Sequence, residues 1–324
     1  MQHKSQITNH SSRSLIGGEL RSADLRSALR DAISQLEREH VPSAPLAAEL
    51  LLMRTLGRDR TWLYAHPEHE LGAETRERYF SLIAQRAGGV PTQYLTGRQE
   101  FWGLEFEVTR DVLIPRPETE HVIEVALDRL GVPADADAPL RNAELRIADV
   151  GTGSGCIGVA LAHELPAARV VATDISAAAL AVARRNVARH GISARMELIE
   201  CNLLDALLHE SRITCQESRL FDLIASNPPY IGRKEAAALP REVRDHEPAA
   251  ALFAGDTGTD IYAPLIAQAA ILLKPGGVLV LELGCNSKEY VLQLLNVPEW
   301  SGVAITNDLA GIARIASARW SVSA

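Results

Sequence analysis

The chain has 324 residues, 47% apolar and 23% charged, with a formal net charge of −8. That is long enough for two globular domains and too apolar for a disordered protein. It is also acidic, which argues against direct nucleic-acid binding as its main business, because neutralising phosphates dominates such binding.

Residues 1–20 are polar and serine-rich, with Lys4 and Arg13 as their basic groups, and read as a disordered extension of the kind common at chain ends. From 22 to 39, Leu25, Leu29, Ile33 and Leu36 recur at helical spacing, with Arg26, Arg30, Asp31 and Glu37 elsewhere; this predicts an amphipathic helix. Segments 45–56 (Leu46, Leu50, Leu51, Met53) and 74–87 (Tyr79, Phe80, Ile83) predict two more, punctuated by Pro42, Gly57, Pro67 and Gly88-Gly89. A small helical domain over 21–90 follows, with Met53 and the leucines as core. Stretches 91–97 and 101–108 alternate at period two and are rich in aromatic and β-branched residues, predicting a β-hairpin linker over 91–116. Pro117 opens a helix to about 130, with Glu118 and Glu120 at its positive end. There Arg116 and Glu118 serve either helix-start electrostatics or a site.

Residues 131–142 read as a solvated linker. Beyond them, strands at 145–150, 170–174, 195–199, 221–226 and 277–283 alternate with helices at 155–165, 176–190, 259–273 and 287–296. Two further strands, 303–308 and 313–320, flank a turn at Gly311. Apolar strands in βαβα order predict an α/β domain over 117–324, its mostly parallel sheet covered on both faces. No run of about 18 apolar residues is present, so no membrane span is expected. Cys156, Cys201, Cys215 and Cys285 form no CxxC pair and the histidines no HExxH; this fits a reducing, cytoplasmic setting and supplies no metal site.

Two stretches carry chemistry. Val150 runs into Gly151-Thr152-Gly153-Ser154-Gly155, a strand-to-helix turn where glycines let a ligand approach the backbone and the helix N–H groups. The GxGxxG at 153–158 would also suit a dinucleotide, but Asp149 just upstream suits an ammonium and sits badly beside a pyrophosphate. No Walker lysine follows, which excludes a P-loop. Asp174 ends the next strand, where an acid takes the ribose hydroxyls of either NAD or S-adenosylmethionine (AdoMet). The second stretch is Asn227-Pro228-Pro229-Tyr230, after strand 221–226. Its prolines fix φ and remove two backbone donors. Asn227 offers one acceptor and two donors, and Tyr230 a flat wall. Such a ledge suits a planar group bearing NH2, a carboxamide or an adenine. An amide nitrogen is a feeble nucleophile because its lone pair is conjugated. Proton donation to the Asn227 oxygen and the Pro228 carbonyl would aim it at a methyl group, so catalysis would be mainly positioning.

Asp149 to Gly155 together with the Asn227 to Tyr230 ledge resemble the class I AdoMet-dependent methyltransferases of exocyclic or amide nitrogens, which implies a seven-stranded, mostly parallel sheet. Four further stretches are more particular: Gly97-Arg-Gln-Glu-Phe-Trp-Gly-Leu-Glu-Phe-Glu-Val108, Val112-Leu-Ile-Pro-Arg-Pro-Glu-Thr-Glu120, Glu247-Pro248 with Ala251-Leu252 and Gly255, and Asp308-Leu-Ala-Gly-Ile-Ala-Arg314. These resemble the peptide chain release factor N5-glutamine methyltransferases (the HemK or PrmC family), over nearly everything from Arg21 onward. The resemblance implies AdoMet as cofactor and, as substrate, the glutamine of a Gly-Gly-Gln loop in a release factor, docked with help from the helical domain. It places the methionine end of AdoMet at Asp149 and Gly151 to Gly155, the ribose at Asp174, and the adenine near Asn202 and Leu203, where members often carry an Asp and an aromatic. Asn227, which also borders the cofactor, would hold the substrate amide with Pro228, Pro229 and Tyr230, beside Arg116 and Glu118. Asn286, after Glu282-Leu-Gly284, stands where Gln is common.

Other readings stay open on the residues alone. The ledge also resembles that of adenine-N6 methyltransferases of DNA, which need a basic surface and a flipped base. Another protein, such as a ribosomal protein, could supply the glutamine. A nicotinamide-dependent oxidoreductase could use the glycine loop and Asp174 but gives the ledge no task. A binding protein without transferase activity is the fourth.

Overall fold

The computed structural model describes residues 24–132, 143–208 and 220–321. The 1–20 extension, all but the first two residues of the 131–142 linker and most of the 207–219 insert lie outside them. The chain divides after Gly88 into two compact units.

The first unit is helical. Asp24 caps α1 (Leu25–Arg38) by accepting from the Ser27 N–H at 2.7 Å, the usual service of an acidic N-cap. The seam that α1 buries is Leu25, Ala28, Ala32 and Leu36, one step round from the predicted stripe; Leu29 and Ile33 are half-exposed and line a groove with Leu63, Tyr64 and Pro67. α2 (Ala44–Leu56) carries Pro45 in its first turn and ends on Gly57 at φ +63°. It buries Leu51 and Leu52 but leaves Leu46 47% exposed, so Leu46 is not core as its spacing suggested. α3 (Arg60–Ala65), a short helix the pattern did not announce, starts at Asp59, which accepts from the Trp62 N–H. α4 (Ala73–Ala87) buries Tyr79 and Ile83 as expected.

The second unit opens with a correction. The stretch predicted as the first hairpin arm is a single helical turn, α5 (Thr92–Thr96), with extended Pro91 before it and Gly97 at φ +76° closing it. The arms are β1 (Arg98–Phe101) and β2 (Leu104–Glu107), joined by Trp102 (φ +54°) and Gly103 (φ +69°). Two left-handed residues make the tight turn that matches strand twist. Tryptophan there costs about 1–2 kcal/mol, offset by anchoring: its N–H donates to Glu120 Oε1 at 2.8 Å and its indole to Glu164 Oε1 at 2.9 Å. Phe101 and Phe106 are buried in the core of this unit beside Ile157, Leu161 and Val187.

The remainder is a seven-stranded sheet in the order β5-β4-β3-β6-β7-β9-β8. Its strands are β3 (Arg146–Val150), β4 (Arg169–Asp174), β5 (Met196–Glu200), β6 (Phe221–Ser226), β7 (Leu273–Glu282), β8 (Trp300–Asn307) and β9 (Ala313–Trp320). β3 to β7 pair in parallel; β9 is antiparallel to β7 and β8. One face packs on α6 (Glu120–Leu130), α7 (Cys156–Glu164) and α8 (Ala177–Arg189), the other on helices Tyr262–Leu272 and Lys288–Leu295. Alternation along β3 sorts its side chains: Ile147 enters the first layer and Ala148 and Val150 the second.

Candidate active site

The chain builds β3, β4 and β5 outward in one direction, then returns to add β6 on the other side of β3. This reversal is where open α/β sheets bind ligands. Val150 and Ser226 are the last paired residues of the two adjacent strands, and the Ser226 hydroxyl donates to the Val150 carbonyl at 2.7 Å. The glycine loop and the proline ledge therefore leave the sheet side by side, about 5 Å apart at their roots. They share one cavity of about 280 Å³, lined by Gly151 to Ser154, Asp174, Asn202, Leu203 and Asn227 to Pro229.

On the loop side, Gly151, Gly153 and Gly155 take φ of +70°, +54° and +85°, which L side chains rarely adopt. Asp149 is fully buried beneath them and is not part of the cavity wall. Its Oδ2 accepts from the Thr152 hydroxyl at 2.6 Å and from the Gly158 N–H at 2.9 Å, while Oδ1 has no hydrogen-bond partner. Gly158 makes this possible, since a Cβ there would stand 2.6 Å from Met196 Cε and 3.0 Å from Asp149 Oδ2. Burial pushes the Asp149 carboxyl up to about 6, against those two hydrogen bonds. Asp174 accepts from the Gly153 N–H through Oδ2 and from the Ser176 N–H through Oδ1, both at 2.9 Å. Each oxygen keeps a lone pair for a further donor. Burial raises its pKa too. Asn186, fully buried on α8, accepts from the Glu107 N–H at 2.7 Å and donates to the carbonyls of Glu107 (3.0 Å) and Ser154 (2.8 Å). It fastens the hairpin to the glycine loop.

On the ledge side, Asn227 Nδ2 donates to the hydroxyl of buried Thr119 at 3.0 Å. That leaves the side-chain oxygen as the acceptor offered to a ligand. Pro228 and Pro229 line the cavity, but Tyr230 does not: its ring lies over Gly284 and its hydroxyl donates to Glu282 Oε1 at 3.2 Å. Arg116 and Glu118 are also outside the lining. The Arg116 guanidinium is hydrogen-bonded to Glu247, whose side chain is 1% exposed, and so ties the start of α6 to the segment carrying Pro248 and Ala251, which do line the cavity.

Comparison with known proteins separates the readings that the residues left open. The PrmC N-terminal domain family matches residues 27–97 and the methyltransferase small domain family residues 138–243. A release factor glutamine methyltransferase of Koribacter versatilis is 42% identical over 91% of this chain and 98% of its own length. One of Geobacter sulfurreducens is 41% identical over 91% of this chain and 96% of its own. This chain belongs to the release factor glutamine methyltransferase family. Its fold also matches the crystal structure of the hMettl16 catalytic domain in complex with MAT2A 3'UTR hairpin 6, with a TM-score of 0.52 and 20% identity over 74% of this chain and 81% of that one. The expected class I methyltransferase fold is thus present, and family membership replaces the nicotinamide and DNA readings.

Release factor glutamine methyltransferases take their methyl group from AdoMet, and the cavity suits that cofactor. A Cβ built on Gly151 or Gly153 meets nothing within 4 Å, so the loop is open where a ligand would lie. A cation above the loop would favour the ionised form of Asp149, whose Oδ1 is unmatched. Ile175, 62% exposed, joins Leu203 as apolar lining beside Asp174.

Four important residues escaped the sequence reading of this family member. Thr119 and Glu247 entered only as parts of motif stretches, Glu282 only as part of a strand end, and Asn186 not at all. Each is a polar residue that burial converts into a fastener. The signal was a lone polar side chain at a position whose period placed it inside, as for Asn186 among buried Ala183 and Val187.

Proposed function

We propose that this protein transfers the methyl group of AdoMet to the side-chain amide nitrogen of the glutamine in the Gly-Gly-Gln loop of peptide chain release factors. The observation that carries this reading is the shared cavity at the β3/β6 reversal, with the glycine loop on one wall and Asn227-Pro228-Pro229 on the other. AdoMet supplies an electrophilic methyl group; the chain's residues do the rest by placement. Asp149 stiffens the loop from Gly151 to Gly155, which takes the methionine end. Asp174 accepts from the ribose hydroxyls, and Asn202 and Leu203 border the adenine. The Asn227 oxygen and the Pro228 carbonyl accept hydrogen bonds from the two amide N–H groups of the glutamine, which turns its nitrogen lone pair toward the methyl group; as the N–C bond forms the sulfur keeps the electron pair of the S–C bond that breaks, and the methylated nitrogen, now acidic, gives up one proton to water. Pro229 and the Tyr230 ring stiffen the ledge, and Arg116 and Glu118 hold the approach to it. Excluding water and fixing the reacting atoms at about 3 Å supplies most of the acceleration.

The helical unit is read as a docking surface for the release factor, and the work is placed in the cytoplasm, where translation ends. No helix among the described residues is long and apolar enough to cross a membrane. Incubation with labelled AdoMet and a purified release factor, wild type and with its loop glutamine replaced, tests the substrate. Label is expected on the wild type alone; equal label on both rules the assignment out.

A further inference from the structure

The cavity wall does not explain what keeps Asn227 and Tyr230 in register with each other. Behind both lies a carboxyl that the reaction as described leaves without a task. Glu282, at the end of β7, is 1% exposed. Tyr230 donates to its Oε1 at 3.2 Å. The Thr119 hydroxyl faces the same carboxyl and helps to hold its pKa down, while the second carboxyl oxygen, Oε2, is buried with no hydrogen-bond partner. Thr119 Oγ1 in turn accepts from Asn227 Nδ2. Tyr262 fixes the backbone here: its hydroxyl donates to the Glu282 carbonyl at 3.1 Å and accepts from the Gly284 N–H at 3.2 Å.

Such a chain has a direction. A threonine hydroxyl has one proton. Since Thr119 accepts from Asn227, its own proton is free to turn to the unmatched Oε2 of Glu282, beside the Oε1 that takes the Tyr230 proton. Two donors converge on one carboxyl, and an ionised carboxylate is acceptor-only. The arrangement forces the Asn227 amide to keep its NH2 inward and its oxygen outward. Flipped, it would present donors to the donors of a substrate amide.

We propose that Glu282 is a positioning residue for methyl transfer: acting through Thr119 on one side and Tyr230 on the other, its buried carboxylate fixes the polarity of the Asn227 amide and the place of the Tyr230 ring. The proposal rests on the reading that this cavity methylates a side-chain amide. It also gives the reaction a pH dependence. Burial pushes Glu282 up to about 7, against the hydrogen bond from Tyr230, the nearby Thr119 hydroxyl and the charge of Arg314. The groups facing it are Arg314 on β9, Glu118 before α6, Thr119, Tyr230, Tyr262, and Cys156 at the start of α7. As pH falls through neutrality Glu282 takes up a proton that competes with the two incoming donors. The chain loses its single direction, and transfer slows.

The test compares wild type, E282Q, T119V, T119S and the double variant T119V/E282Q across pH 5.5 to 9. Turnover on release factor and AdoMet affinity by calorimetry are measured for each. In E282Q and in T119V, kcat is expected to fall about ten- to hundredfold, the scale of a slight misplacement of reacting groups, with AdoMet affinity within about threefold of wild type. T119S restores turnover. The double variant is no slower than the slower single variant, because both break one chain, and E282Q loses the acid limb of the wild-type rate profile. An E282Q protein with wild-type kcat and an unchanged acid limb overturns the proposal, as do losses in the two single variants that multiply in the double. Carbon-13 spectra of labelled glutamate carboxyls read the same group without turnover. One signal is expected to titrate near neutrality in wild type, to shift in T119V and to vanish in E282Q. A Glu282 that titrates in the ordinary carboxylate range sinks the idea, even if release factor proves to be the wrong substrate. Wild-type protein that binds AdoMet but labels no release factor, with the spectra as expected, sinks the substrate reading alone.

Discussion

Asp149 finds its hydrogen-bond partners three and nine residues away, at Thr152 and Gly158, whereas Asn227 finds its partner 108 residues away, at Thr119. Tyr230 reaches 52 residues to Glu282, and Arg116 reaches 131 to Glu247. The glycine-loop wall of the cavity is largely a local structure, a turn whose conformation its own glycines and acid impose. The opposite wall is assembled: its ledge is stiff by virtue of Pro228 and Pro229, but its orientation is set by side chains brought in from α6's start and from β7. A local site forms as soon as its strand and helix form. An assembled one is right only when the whole sheet and its flanking segments are in place.

This contrast is open to breaking. Asn227→Ala removes the acceptor of the assembled wall and leaves the loop alone; single-turnover transfer is expected to fall by about two orders of magnitude or more, as loss of a polarising contact does. AdoMet affinity by calorimetry stays within a few-fold. A variant that transfers normally would show that the ledge does not act on the substrate. Asp174→Ala does the converse. AdoMet binding is expected to weaken by about 1.5–3 kcal/mol, the scale of hydrogen bonds to a charged group, and unchanged affinity would mean that the ribose lies elsewhere.

The smallest effect is on stability. Glu282 sits near 7 in the folded protein against an ordinary 4.5, and Asp149 near 6 against 3.8. Between those limits the folded state binds more protons than the unfolded, so stability falls as pH rises, by at most about 1.4 kcal/mol per pH unit for each group. Urea melts from pH 5 to 8 should show a shallower decline for Glu282→Gln than for wild type. Parallel declines would mean that the carboxyl is already ionised at pH 5.

The same contrast explains how much of the molecule could be read in advance. The βαβ alternation, the glycine loop, Asp174 and the two C-terminal strands were legible because hydrophobic period and glycine punctuation are properties of neighbouring residues. The α5 turn was misread as a strand because Thr92 to Thr96 has strand-like residues, and only its boundaries, Pro91 and the left-handed Gly97, show that it is a helical turn. The hairpin turn was missed because tryptophan is an unusual occupant of φ +54°; long-range bonds to Glu120 and Glu164 hold it there. Leu46 was assigned to the core on spacing alone, although a neighbouring stripe, Leu51 and Leu52 with Ala47 and Ala48, is the one that packs. Within the site, the glycine loop, Asp174, Asn202, Leu203 and the Asn227 to Pro229 ledge were legible, whereas Thr119, which also lines the cavity, and Glu282 and Asn186 behind it are brought in by long-range contacts that no local pattern encodes.

Asn186 bears on how the enzyme can be dissected. Its amide spends all three of its observed bonds on joining the Glu107 backbone to the Ser154 carbonyl. A fragment trimmed to begin at Pro117 would retain every residue of the glycine motif and every strand of the large sheet. It would nevertheless leave a buried carboxamide facing nothing on one side, and the glycine turn would lose its outer strut.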